Sequence, residues 1–210
     1  MLKEAVKAVA NAIIAEKNHL TMLDTKTGDG DHGLNMTRGA AAVLEAIDEL
    51  DDNKLNASVL CNAVGQAIIM NVGGASGPLY GTGFVEASKT LDENSKLDVE
   101  TLAKFFEAMI AGIQRRGHAK KGDKTMLDTL IPIYETLQAA KAEDQSIDEV
   151  LEEALTAGRE GMEFTKTIAA KRGRASYIGD KSIGFEDPGA VSSMIIFRTF
   201  CQFLKDNKLI

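Results

Sequence analysis

Tryptophan is absent from the sequence, prolines number three and cysteines two, and aromatic residues make up only 5%. The two cysteines, Cys61 and Cys201, stand far apart and without metal-ligand spacing. That excludes a disulfide framework and a cysteine-based zinc site, and it predicts buried free thiols in a reducing, cytoplasmic setting. No segment approaches the roughly 20 apolar residues of a membrane span. The opening MLKEAVKAVANAIIAEK carries charges inside its apolar pattern, so it does not read as a signal peptide. Positive charge is also in deficit, with 24 Lys and Arg against 31 Asp and Glu and a net charge of -7. A general nucleic-acid or anionic-membrane surface needs the opposite balance, so neither is expected as a partner.

What the chain does have is helix formers. Ala, Leu, Met, Glu and Lys outnumber the β-branched and aromatic runs that strands prefer, which predicts an all-α fold. With 210 residues, 44% of them hydrophobic, residues 1–210 suffice for one core and are expected to form a single domain. Apolar periodicity predicts eight helices, over about 3–19, 34–50, 56–72, 79–91, 98–115, 125–141, 147–170 and 189–206. Ser146 with Glu149 forms a capping-box pattern, and Asp187-Pro188 places an N-cap acid before a first-turn proline. The short polar connections 93–96 and 141–145 suit antiparallel neighbours.

Four other connections, 24–33, 73–83, 117–125 and 172–189, are rich in Gly, Asp, Ser and Arg. They follow the first, third, fifth and seventh helices. In an up-and-down arrangement alternate loops share one end, so these four are expected to meet there.

The first of them contains GDGDHG, residues 28–33. Its glycine spacing imitates a dinucleotide-binding turn, but that turn follows a strand and this one follows a helix. A calcium-loop reading fails because Lys26 and Asn35 fall where ligands belong. Two readings remain for Asp24, Asp29 and Asp31: a solvated acidic turn, or hard oxygen ligands for divalent cations that in turn hold phosphate. His32 reads either as a hydrogen-bonded structural residue or as a phosphate contact. Asn35 and Arg38 sit in the first turns of the next helix, where a helix terminus favours anions.

GGASGPLYGTG at 73–83 has no acid and suits either backbone contact with an anion or close helix packing. GHAKKGDKT from Gly117 nearly spells a P-loop but inserts Asp123 and follows a helix, which excludes that motif; Lys124 could still reach a phosphate. The long basic segment KRGRASYIGDKSIGFEDPGA, with Arg172, Arg174 and Lys181, reads best as a flap over an anion. Met126, Leu127 and Leu130 offer either core or an apolar shelf for a base.

Together LDTKTGDGDHGLNMTRG, GGASGPLYGT, RGHAKKGDKTMLD and GRASYIGDKSIGFEDPGA resemble, in order and over nearly the whole chain, the nucleotide-binding (L) subunits of bacterial dihydroxyacetone kinases. The resemblance implies an eight-helix antiparallel barrel holding ADP or ATP at one end. It implies that Asp24, Asp29 and Asp31 ligate two Mg²⁺ ions, and that His32, Gly33, Leu34, Asn35, Ala75, Ser76, Thr82, Gly117, Met126, Arg174, Asp187, Pro188 and Gly189 contact the nucleotide. Because the chain opens directly at its first helix, the separate-subunit form is expected. There, bound ADP takes a phosphoryl group from a phosphohistidine on an M subunit and passes it to dihydroxyacetone on a K subunit. Alternatives are an ATP-exchanging kinase subunit, the nucleotide-binding domain of a fatty-acid kinase, and a nucleotide-state sensor that binds a transcription regulator. A homodimer also stands open.

Overall fold

A computed structural model describes residues 1–140 and 145–210, and most of the polar connection expected at 141–145 lies outside the described residues. Nine α-helices are described: α1 (Leu2–Ala15), α2 (Lys17–Thr27), α3 (His32–Asp48), α4 (Ala57–Asn71), α5 (Ser76–Ser88), α6 (Val99–Gly117), α7 (Leu127–Ala140), α8 (Ile147–Phe164) and α9 (Pro188–Asp206). No strand occurs among the described residues. The helix expected over 3–19 is two segments, because the chain bends at Glu16 (φ -88°, ψ 8°) and then continues to Thr27. Glu16 N still donates to Ala12 O and Leu20 N to Glu16 O, so the rod bends without ending. Counting α1 and α2 as one bent rod returns the expected eight.

The caps read from the sequence are in place. Ser146 and Glu149 satisfy each other's backbone N–H groups at the start of α8, and Asp187 accepts from Ala190 N ahead of Pro188. Asn56 and Asp98 cap α4 and α6 in the same way, accepting from Val59 N and Thr101 N. Each cap satisfies a donor that the helix itself leaves open.

Every helix packs on the next, and α9 returns to pack on α1, so the helices close into a ring. Inside the ring lie Leu20, Ile113, Leu127, Ile133, Leu137, Val150 and Leu151, each at most 1% exposed. An edge-to-face ladder from Phe84 through Phe105 and Phe106 to Phe197, with centroids 6.2, 5.8 and 5.6 Å apart, crosses the interior from α5 through α6 to α9. Helices α4 and α5 approach closely at Gly65 and Gly81, where an added Cβ would meet the other helix's backbone.

Helix length departs from the expected bounds at two places: α2 carries the first rod to Thr27 instead of 19, and α8, expected to run to 170, is shorter. It ends at Phe164, where a single 3-10 turn, Thr165–Thr167, turns the chain aside. Thr165 is fully buried; its hydroxyl donates to Met162 O and accepts from Asp187 N, and its carbonyl takes the Lys124 ammonium. Long-range bonds of this kind overrule local helix propensity. No described helix is long and apolar enough to cross a membrane. Both cysteines are free; Cys201 is buried and Cys61 half-buried, and burial pushes each thiol pKa up to about 12.

Candidate functional site

Loop parity predicts that the four unusual connections meet, and they do. One cleft of about 780 Å³ is lined by residues from all four, within the range of small-ligand sites. Since the connections after α2, α4, α6 and α8 share this end, consecutive rods run antiparallel.

The acidic corner is built from the last turn of α2 and the loop into α3. Asp24 is 8% exposed, and its Oδ2 accepts from Asp31 N (2.9 Å) and His32 N (3.0 Å), so a side chain on α2 caps the start of α3. Gly30, at φ +75°, gives the chain the left-handed step that returns it over Asp24. One carboxylate oxygen from each of Asp24, Asp29 and Asp31 then lies within 4.8 Å of the others. Gathering three carboxylates so closely costs repulsion, and among the described residues only Arg174, with Nε 3.0 Å from Asp29 Oδ2, offsets it by a direct ion pair. Two exposed carboxylates on a glycine-rich loop plus one buried and hydrogen-bonded are a fitting donor set for hard divalent cations. Asp24 keeps Oδ1 for that purpose, because its hydrogen bonds use Oδ2.

His32 opens α3 and is 7% exposed. Its Nδ1 lies 3.1 Å from Ser76 Oγ on α5 and its Nε2 3.0 Å from Ser192 Oγ on α9. Burial lowers its pKa, against the opposing pull of Asp24, Asp31 and the Pro188 carbonyl. The first turns of α3, α5 and α9 thus meet on one histidine.

Opposite stands the flap, a 3-10 stretch from Arg174 to Ser182 broken at Gly179. Its base is fixed by Lys124, which adopts φ 61° and directs its buried ammonium onto the carbonyls of Thr165, Ile168 (3.3 Å) and Phe185 (2.6 Å). Lys124 therefore clamps the two ends of the flap and has no donor left for a phosphate. Burial lowers its pKa, opposed by Asp187 and Asp128. Asp123 adds a second tie, since its carbonyl accepts from Lys171 N at 3.0 Å and its carboxylate faces Lys171 and Arg172. Asp187, half-buried at the foot of α9, has its pKa pushed up to about 7, chiefly by desolvation.

Of the site residues named from the sequence, Asp24, Asp29, Asp31, His32, Ala75, Ser76, Gly117, Met126, Arg174, Asp187, Pro188 and Gly189 line the cleft. Gly33, Leu34, Asn35 and Thr82 do not. Gly33 abuts the Lys17 carbonyl and Thr21 on α2, Leu34 is 46% exposed, Asn35 packs beside Gly73, and Thr82 lies inside α5 with its carbonyl against Gly112. The apolar wall is Pro78, Leu79, Ile113 and Met126, whereas Leu127 and Leu130 belong to the core. Sequence reading missed Arg116, Tyr177 and the Tyr80–Ser192–Ser193 group. A basic residue in the last turn of α6 was a usable signal for Arg116; nothing in local spacing marks the other four.

A model of the DAK2 domain matches residues 26–202 of the chain. The chain belongs to the DAK2 domain family. It is 37% identical over 191 residues to the ADP-binding subunit DhaL of the PEP-dependent dihydroxyacetone kinase of Escherichia coli (strain K12), covering 91% of this chain and 90% of that one. It is 40% identical over 186 residues to the corresponding ADP-binding subunit of dihydroxyacetone kinase 1 of Listeria innocua, covering 89% and 87%. Among solved structures, the dihydroxyacetone kinase of C. freundii in complex with AMP-PNP and Mg²⁺ superposes with a TM-score of 0.72 at 26% identity, over 96% of this chain. This DAK2 chain spans about a third of that kinase, 33% of its length.

Proposed function

We propose that the chain is the ADP-binding phosphotransfer subunit of a phosphoenolpyruvate-dependent dihydroxyacetone kinase, working as one domain over 1–210 in the cytoplasm. The observation that carries this reading is the meeting, in one cleft, of the Asp24–Asp29–Asp31 cluster, three helix N-termini and the Arg174 flap. It is supported by the names of relatives that the chain matches over about nine-tenths of both lengths.

Asp24, Asp29 and Asp31 would hold two Mg²⁺ ions, which when bound neutralise charge between the carboxylates and the nucleotide phosphates. The starts of α3 and α5 border the same cleft, where the open N–H groups of a helix terminus favour phosphate. Arg174, placed beside Asp29, brings a planar cation to the same point from the flap. Pro78, Leu79, Ile113 and Met126 make a wall suited to the flat face of a base.

Phosphoryl transfer of this kind asks for alignment and charge neutralisation more than for a protein nucleophile. His32 is not placed to serve as one, since both ring nitrogens already have hydroxyl partners inside the protein. The carrier would then be the nucleotide itself. Held by Asp24, Asp29, Asp31 and Arg174, ADP would supply an acceptor for the phosphoryl group of a phosphohistidine on the M subunit and pass it to a hydroxyl of dihydroxyacetone on the K subunit, whose proton would leave to solvent.

The test is dihydroxyacetone phosphorylation by the purified chain with a K subunit, comparing phosphoenolpyruvate plus its relay proteins with ATP alone, and bound nucleotide assayed after exhaustive dialysis. Turnover restricted to the relay, with ADP retained, is expected. Sustained turnover on free ATP alone refutes the fixed-cofactor role and leaves an exchanging kinase subunit.

A further inference from the structure

Five Lys and Arg side chains line the cleft, those of Arg116, Lys124, Lys171, Arg172 and Arg174, and four of them are engaged within the protein. Lys124 donates to the carbonyls of Thr165, Ile168 and Phe185. Lys171 Nζ donates to Gly122 O at 2.9 Å, Arg172 Nε lies 3.8 Å from Asp123 Oδ2, and Arg174 holds Asp29. Arg116 is exposed and, among the described residues, its guanidinium has no ion-pair or hydrogen-bond partner. A planar cation with five donors is thus left for whatever enters the cleft.

Its place in the fold decides which part of a ligand it meets. Arg116 is the last residue but one of α6, and α6 ends at the cleft, whereas α3 and α5 begin there. At the end of α6, His118 N donates to Gln114 O at 2.8 Å, and the carbonyls of Arg115, Arg116 and Gly117 have no backbone donor among the described residues. Open carbonyls make a helix end negative, so a phosphate is disfavoured here and favoured at the starts of α3 and α5. The same end carries the apolar wall. Ile113 precedes Arg116 by three residues, a spacing that makes the two neighbours on the helix surface, and an added Cβ on Gly117 would stand 2.8 Å from Leu79 Cδ2. A neutral purine fits this combination better than an anion does. Its flat face suits the wall, its amino group is a donor for an open carbonyl, and its ring suits a planar cation.

We propose that Arg116 is a base-recognition residue: its guanidinium meets the purine ring at the α6 end of the cleft, beside Ile113 and Leu79, and takes no part in holding the phosphates. The assignment rests on the nucleotide reading above and divides the two free-standing arginines of the cleft by role. Arg174 serves the phosphate end, next to Asp29, and Arg116 the base end. The contribution of Arg116 comes from its plane as well as its charge, so Lys is no substitute.

The experiment is calorimetric binding of ADP and of pyrophosphate, each with Mg²⁺, to the full wild-type chain, Arg116→Ala and Arg116→Lys. Pyrophosphate carries the phosphates without the base. Arg116→Ala is expected to weaken ADP roughly 5- to 30-fold, the range of a planar cation on an aromatic face, and to leave pyrophosphate within about twofold of wild type. Arg116→Lys is expected to recover no more than about twofold of the ADP loss. Because the chain has no Trp, the near-ultraviolet circular dichroism of bound adenine is read without an indole background, and that band is expected to differ between wild type and Arg116→Ala. Equal losses on ADP and pyrophosphate overturn the proposal in favour of a phosphate contact, and full recovery by Lys overturns it in favour of charge alone. Unchanged ADP affinity in Arg116→Ala, or an identical adenine band, overturns it outright while leaving the nucleotide reading intact. A wild type that binds no ADP overturns the nucleotide reading and this assignment with it.

Discussion

Replacing Asp24 separates two roles that one carboxylate combines. Its Oδ2 caps α3 by accepting from Asp31 N and His32 N, and one of its oxygens lies within 4.8 Å of one from each of Asp29 and Asp31. Asp24→Ala removes both hydrogen bonds. A hydrogen bond to a charged acceptor contributes about 1.5–3 kcal/mol, so two set an upper limit of about 3–6 kcal/mol. Asp31 is exposed, and water will replace part of that loss, leaving an expected destabilisation of about 2–4 kcal/mol. For a chain of this size that corresponds to a fall in Tm of roughly 5–15 °C. Asp24→Asn keeps an acceptor oxygen for the two N–H groups and removes only the charge, so it is expected to cost about 1 kcal/mol or less. The assay is thermal unfolding with and without Mg²⁺, paired with ADP content after dialysis. Both variants are expected to lose Mg²⁺-dependent ADP retention, but only Asp24→Ala is expected to lose much stability. An Asp24→Ala melt within about 2 °C of wild type refutes the capping argument. Undiminished ADP retention in Asp24→Asn refutes the metal argument.

Asp187 has a folded pKa raised to about 7 by burial, above the roughly 3.9 of an unfolded aspartate. The folded state therefore holds a proton that the unfolded state releases, so this group's contribution is full at acid pH and is lost as pH rises from about 4 to about 7. Asp187→Asn is expected to flatten the pH dependence of stability across that window, by at most about 1.4 kcal/mol per pH unit, in urea titrations at several pH values. Lys124→Met keeps the stem but leaves the carbonyls of Thr165, Ile168 and Phe185 without their shared donor, and a cost of about 2–4 kcal/mol is expected. Brief trypsin digestion should then cut faster at Lys171, Arg172 and Arg174; an unchanged cutting rate would show that the clamp does not govern the flap. Arg174→Ala breaks only an exposed pair with Asp29, so its melt should move by less than about 0.5 kcal/mol equivalent while ADP is held more weakly in equilibrium dialysis.

The sequence by itself determined the helix content, the caps at Ser146 and Asp187, the gathering of four loops at one end and the three-aspartate cluster. These are local or periodic properties: an apolar face repeats every few residues, a cap is read within one turn, and parity follows from the order of rods. Tertiary structure alone decided that α8 stops at Phe164, because Thr165 is claimed by Lys124 and Asp187 from 41 and 22 residues away. It turned Lys124 from a phosphate ligand by motif likeness into a clamp on backbone carbonyls, since burial leaves the ammonium no other acceptors. It also joined His32 to Ser76 and Ser192 across 44 and 160 residues. Contacts between distant segments leave no spacing in the chain to read. They depend on how the rods are placed side by side, and it is there that the roles of His32 and Lys124 are settled.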